Sequence, residues 1–172
     1  MRILRIIRSC TLQQRIFLLA AITFFAQQAL VAQEMPPRPM NITVSLVQNL
    51  SFGTFCPFSS GGSIIINSQG SRSATGNIVL INSTYSTALF YVDANPGTLI
   101  SILNGPDVML SGSNGGSMML RIGNSNPISP FVTPGNPPML PVQLGGTLTA
   151  GSILANPAGS YSGSFYITFM QE

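Results

Sequence analysis

Hydrophobic and polar residues alternate along much of the chain, and the pattern is clearest over residues 41–52. Ile42, Val44, Leu46, Leu50 and Phe52 fall on one face, with Gln48 the exception. Thr43, Ser45, Asn49 and Ser51 fall on the other, joined by Val47. Successive side chains of an extended chain point to opposite faces, so this period of two predicts a strand with one face turned to a core. The theme returns in shorter pieces at 63–67, 77–81, 87–92, 98–103, 108–110, 117–122 and 141–150. It closes with 160–170, where Tyr161, Phe165, Ile167 and Phe169 are in phase. Asn95-Pro96-Gly97, residues 111–116 and Asn156-Pro157-Ala158-Gly159 read as turns or loops between strands. Residues 123–141 contain Pro127, Pro130, Pro134, Pro137, Pro138 and Pro141. Proline cannot donate to a ladder, so this stretch reads as a long loop or an edge segment. Beyond residue 32 no apolar pattern of helical period is found. About eight short strands with Gly, Pro and Asn between them predict an all-β sandwich or barrel.

The first 32 residues follow another rule. Arg2, Arg5, Arg8 and Arg15 precede an apolar run from Ile16 to Ala26, and no acid occurs before Glu34. A basic start, a short apolar stretch and small residues near Leu30-Val31-Ala32 predict a helical secretory signal peptide cut at about that point. The apolar run is about eleven residues long, against the ~20 of a membrane-spanning helix, so no stable transmembrane anchor is expected after cleavage. The expected organisation is a signal peptide (1–32), a proline-rich lead (33–40) and a single β-sandwich domain (41–172). Export then places the protein in the periplasm, on the outer cell surface or outside the cell.

Export changes the charge. The whole chain carries seven basic residues, all Arg, and four acids, for a net charge of +3. Without residues 1–32, Arg38, Arg72 and Arg121 remain against Glu34, Asp93, Asp107 and Glu172, a net charge of −1. Nucleic-acid binding needs a basic footprint, and the mature chain has none. His and Lys are both absent, so a Ser nucleophile lacks its usual bases. Asp93 and Asp107 sit beside turns, where bonding to nearby backbone amides is expected rather than paired-carboxylate catalysis or calcium binding. No enzyme activity, cofactor or metal is therefore expected. Cys10 leaves with the signal peptide, so Cys56 has no partner within the mature chain. It reads as a small buried hydrophobe, with intermolecular pairing or lipid attachment as alternatives. Arg72, between Gly70-Ser71 and Ser73-Ala74-Thr75-Gly76, is expected to pin a loop through backbone carbonyls. Met118-Met119 and Met139 are expected to fill gaps in the core or at an edge.

Three stretches occur in a distinctive order: Leu50-Ser51-Phe52-Gly53-Thr54-Phe55, Gly70-Ser71-Arg72-Ser73-Ala74-Thr75-Gly76, and Leu144-Gly145-Gly146-Thr147-Leu148-Thr149 followed by Ala158-Gly159-Ser160-Tyr161-Ser162-Gly163-Ser164-Phe165. Together they resemble a bacterial secreted family catalogued as a domain of unknown function. That family is similar to spore coat protein U and to pilin subunits of archaic chaperone–usher fimbriae. The resemblance covers roughly residues 42–170. It implies an immunoglobulin-like, pilin-like sandwich that lacks one strand. A periplasmic chaperone, then a neighbouring subunit, supplies the missing strand by β-addition. The strand-exchange interface is expected at Ile42, Val44 and Leu46 of the first strand and at Phe165, Ile167 and Phe169 of the last. Two features depart from the pattern. Spore coat U-type subunits carry a disulfide, and only the eight residues 33–40, with Pro36, Pro37 and Pro39 among them, precede the domain. Either residues 41–50 double as the donor or the domain is complete.

The expected function is thus a secreted structural or interaction protein of the bacterial cell surface, a fimbrial or coat-like subunit. The alternative is a carbohydrate-binding or adhesive module. Trp is absent, so sugar stacking would fall to Tyr85, Tyr91, Tyr161 and Tyr166.

Overall fold

The period-two pattern predicted over residues 87–92 is carried into a strand of the fold. Ala88 and Val92 are buried and Phe90 is half-buried on one face, while Tyr91 on the other is exposed. The computed structural model describes residues 42–136 and 139–172, so the expected signal peptide, the proline-rich lead and Asn41 lie outside the described residues. The described strands are β1 (Thr43–Gln48), β2 (Phe55–Ile66), β3 (Arg72–Leu80), β4 (Ala88–Asp93), β5 (Leu99–Asn104) and β6 (Val108–Gly112). They continue with β7 (Ser117–Asn126), β8 (Phe131–Val132), β9 (Met139–Ala150), β10 (Tyr161–Ser162) and β11 (Ile167–Gln171).

Strand β9 is the spine of the larger sheet. Its one edge pairs with β7, from Met119↔Thr149 to Asn126↔Gln143. Its other edge serves two strands in succession: β4 along Met139–Leu144 and β2 along Gly146–Ala150. Gly145 stands between them. A Cβ there would lie 2.1 Å from the Ile66 carbonyl oxygen, so the close approach of the end of β2 demands glycine. Outside this centre, β1 extends β4, β3 extends β2, and β6 and β10 extend β7. A second sheet has the order β11-β5-β8.

The sheets meet over a core of Ala88, Val92, Val142 and Leu144 from the first and Ile100 and Phe131 from the second. A further core of Phe52, Ile64, Ile66, Leu110, Met118, Leu120, Leu148 and Ala150 fills the other end of the larger sheet. The resulting connectivity is that of an immunoglobulin sandwich. In chain order β1, β4, β5, β7, β9 and β11 take the places of A to F, with A-B-E-D in one sheet and C-F in the other. In the complete fold a seventh strand, G, pairs with F. Among the described residues, β11 pairs with β5 alone.

Several elements differ from expectation. The strand predicted at 41–52 is shorter: β1 ends at Gln48, and its register against β4 already shifts between Leu46 and Gln48. The strand expected at 63–67 begins earlier, at Phe55, and passes a register shift between Pro57 and Gly62. The loop expected at 123–141 contains β8 and the start of β9. The terminal strand expected over 160–170 is broken into β10 and β11. Asp107 faces Arg121 at 3.9 Å rather than a turn amide.

A groove between the first and last strands

The hydrogen-bond register of β11 decides which of its backbone groups are free. Gly105 N–H donates to the Tyr166 carbonyl at 2.9 Å, and Glu172 N–H donates to the Leu99 carbonyl at 3.0 Å. Antiparallel ladders alternate hydrogen-bonded and non-hydrogen-bonded pairs, so Thr168 and Met170 also face β5. The N–H and C=O groups of Ile167, Phe169 and Gln171 therefore point to the outer edge, where no described strand pairs with them. No charged side chain occurs on β11 to protect that edge.

Four of the six residues predicted for strand exchange, Ile42, Phe165, Ile167 and Phe169, share one core, while Val44 and Leu46 lie on β1 against β4. Ile167 and Phe169 are half-buried and point inward, with the Phe169 ring 5.6 Å from that of Phe90 on β4. Ile42, Phe165, Ile167 and Phe169 all pack against the inter-sheet core. Val44 and Leu46 pair with Val92 and Phe90, so they face the same interior. Yet they are 37% and 55% exposed. Among the described residues, an inward-facing Leu left this open lacks a covering layer.

Sequence reasoning missed what lies further along. Between residues 49–57 and 156–165 opens a cleft of 810 Å³. Its floor is core: Leu110, Met118, Leu120 and Leu148. Cys56 is half-buried on its wall, with its thiol 3.8 Å from the Pro57 carbonyl oxygen. None of the described lining residues is charged. The signal was present in the chain, because alternation fails at Gln48-Asn49 and again in the Ser/Gly run 159–164. It could not be interpreted without knowing that those two segments face each other.

Side-chain bonds hold the walls. Arg72 donates to the Phe52 carbonyl at 2.9 Å and to the Ile81 carbonyl at 2.7 Å, and its guanidinium lies 4.6 Å from the centre of the Tyr85 ring. This is the carbonyl-pinning role expected of it. On the opposite wall Asn156, buried, accepts from Gly151 N–H at 2.5 Å and donates to the Ser117 carbonyl at 2.7 Å. Tyr161 donates to the Pro157 carbonyl at 2.8 Å. Replacing Arg72 with Ala removes two charge-assisted bonds and a cation–π contact in a half-exposed setting. A loss of about 1–2 kcal/mol in urea unfolding is expected. Lys cannot span both carbonyls with a planar fork and should restore less than half of it.

The four tyrosines do not share a platform. Tyr85 sits under Arg72, Tyr91 pairs between Ser45 and Pro141, and Tyr161 lines the cleft. Tyr166 stands 77% exposed between β10 and β11. Asp93 ends β4 opposite Thr43 and Met139.

Residues 42–170 match the family model described as a domain of unknown function, DUF4402. The chain belongs to this family. The DUF4402 match spans nearly all of the described sandwich, from the residue before β1 to the penultimate residue of β11. Both walls of the groove are therefore part of the family domain. No curated protein and no solved structure matches the chain.

Proposed function

We propose that this DUF4402 chain is a secreted structural or interaction protein of the bacterial cell surface, a fimbrial or coat-like subunit that joins its neighbours by β-strand addition at β11. The observation that carries this reading is the outer edge of β11. Among the described residues, three there present N–H and C=O groups with no paired strand, and the inward-facing Val44 and Leu46 of β1 stay partly exposed. An added strand satisfies both deficits at once, because its backbone pairs with the edge and its alternate side chains cover the apolar face. The signal-like leader and the resemblance to pilin subunits and spore coat protein U support export and assembly. The partners implied are a periplasmic chaperone and neighbouring subunits.

A synthetic peptide of residues 42–52, the longest run of alternating apolar residues in the chain, tests this. Titrated into the protein, it is expected to bind saturably and to raise the melting temperature as its concentration exceeds Kd. A peptide methylated at alternate amide nitrogens keeps every side chain but loses ladder donors, and should bind at least tenfold more weakly. Equal binding of the two peptides would show that recognition does not run through the backbone and would remove the basis of the proposal.

A further inference from the structure

The cleft beneath Leu50 and Phe165 is not accounted for by edge pairing at β11 alone. We infer that it is the second half of the same acceptor, and that the occupant is one uncharged, extended peptide segment of a separate chain, about ten residues long. This rests on the strand-addition reading above and adds to it the length, charge and landing site of the partner.

Three observations lead there. Leu50 and Phe165 each pack against both cores and also line the cleft, so the cleft adjoins the core that Ile167 and Phe169 of β11 cover. Residues 163–166, between β10 and β11, belong to no strand, so a segment running along β11 can continue past it. From Gly163 to Gln171 the acceptor is nine residues long. At ~3.3 Å per residue it spans about 30 Å, which an extended segment of about ten residues matches.

The lining sets the chemistry. Its 24 described residues include no charge, and its floor is the buried Leu110, Met118, Leu120 and Leu148. A charged side chain placed there would lose its hydration without a partner, so the segment must be uncharged where it crosses the cleft. Protein interiors leave few voids larger than a water molecule, and 810 Å³ is room for several large apolar side chains. The rim supplies polar groups for the incoming backbone, with Ser51 and Thr54 on one side and Ser162 and Ser164 on the other.

Cys56 on the cleft wall reports on occupancy. The full-length protein is treated with iodoacetamide, and alkylation of the fragment containing Cys56 is followed by mass spectrometry, which separates it from Cys10. Two probes are used: the peptide of residues 42–52 and its first half, residues 42–47. The longer peptide should slow Cys56 alkylation at least tenfold at saturation and bind at least tenfold more tightly than the shorter. The shorter should leave Cys56 as reactive as in the free protein. If the longer peptide binds while Cys56 stays fully reactive, or if both bind equally, the cleft is no part of the acceptor, although the edge reading survives. If neither binds, the edge reading fails and takes this inference with it.

Discussion

Gly145→Ala is expected to cost about 3 kcal/mol or more of stability, an effect at the high end for a single added methyl. The new Cβ would stand 2.1 Å from the Ile66 carbonyl oxygen and 2.7 Å from the Asn67 carbonyl carbon. Both are backbone atoms, so no side chain can swing away to make room. The strain falls where β9 hands its edge from β4 to β2, and relief there disturbs the pairing of both strands. For a domain of this size the melting temperature should fall by roughly 10–15 °C. Gly135→Ala is the control, since among the described residues its Cβ would approach nothing nearer than Pro96 Cβ at 3.9 Å. It should change stability by less than about 0.5 kcal/mol. Comparable losses for the two variants would mean that the approach of β2 to β9 is not tight in solution.

A second pair of variants separates folding from assembly. Ile100→Ala empties a fully buried position between the sheets and should cost about 3–4 kcal/mol, through lost transfer energy and the cavity left behind. Leu46→Ala alters a side chain that also faces inward but is 55% exposed. Its cost in denaturant unfolding of the free chain should be under about 0.5 kcal/mol. The added strand is expected to bury Leu46, and burying a Leu is worth about 1.5–3 kcal/mol, so the variant should bind the peptide of residues 42–52 at least tenfold more weakly. A Leu46→Ala chain that binds the peptide as well as the parent would detach β1 from the acceptor.

Local chemistry made much of the architecture readable. The alternation at 87–92 became β4, the turn at Asn95-Pro96-Gly97 closes with Thr98 N–H donating to the Asn95 carbonyl at 3.2 Å, and the Ser/Gly/Asn stretch 111–116 joins β6 to β7. Where no alternation existed, strands were missed. The first half of β3, Arg72–Gly76, is polar and small because it lies on an outer strand with little to bury. The first half of β2 carries Pro57 and a register shift that erase the period. The candidate site was half legible. Ile42, Val44, Leu46, Phe165, Ile167 and Phe169 could be chosen as apolar faces of terminal strands, but Leu50, Phe55 and Cys56 could not be assigned to a cleft. That cleft exists only because segments about a hundred residues apart face each other.

Period, turn residues and composition dictated that this chain would be built of short extended segments with little charge, because those signals act between near neighbours along the backbone. Which strand would be left without a partner could be known only from the assembled sheets. Val44 and Ile100 look alike as apolar residues on alternating strands, yet one is uncovered and the other sealed. The difference arises from long-range pairing, since β5 is flanked on both edges by β11 and β8 while β1, among the described strands, borders β4 alone.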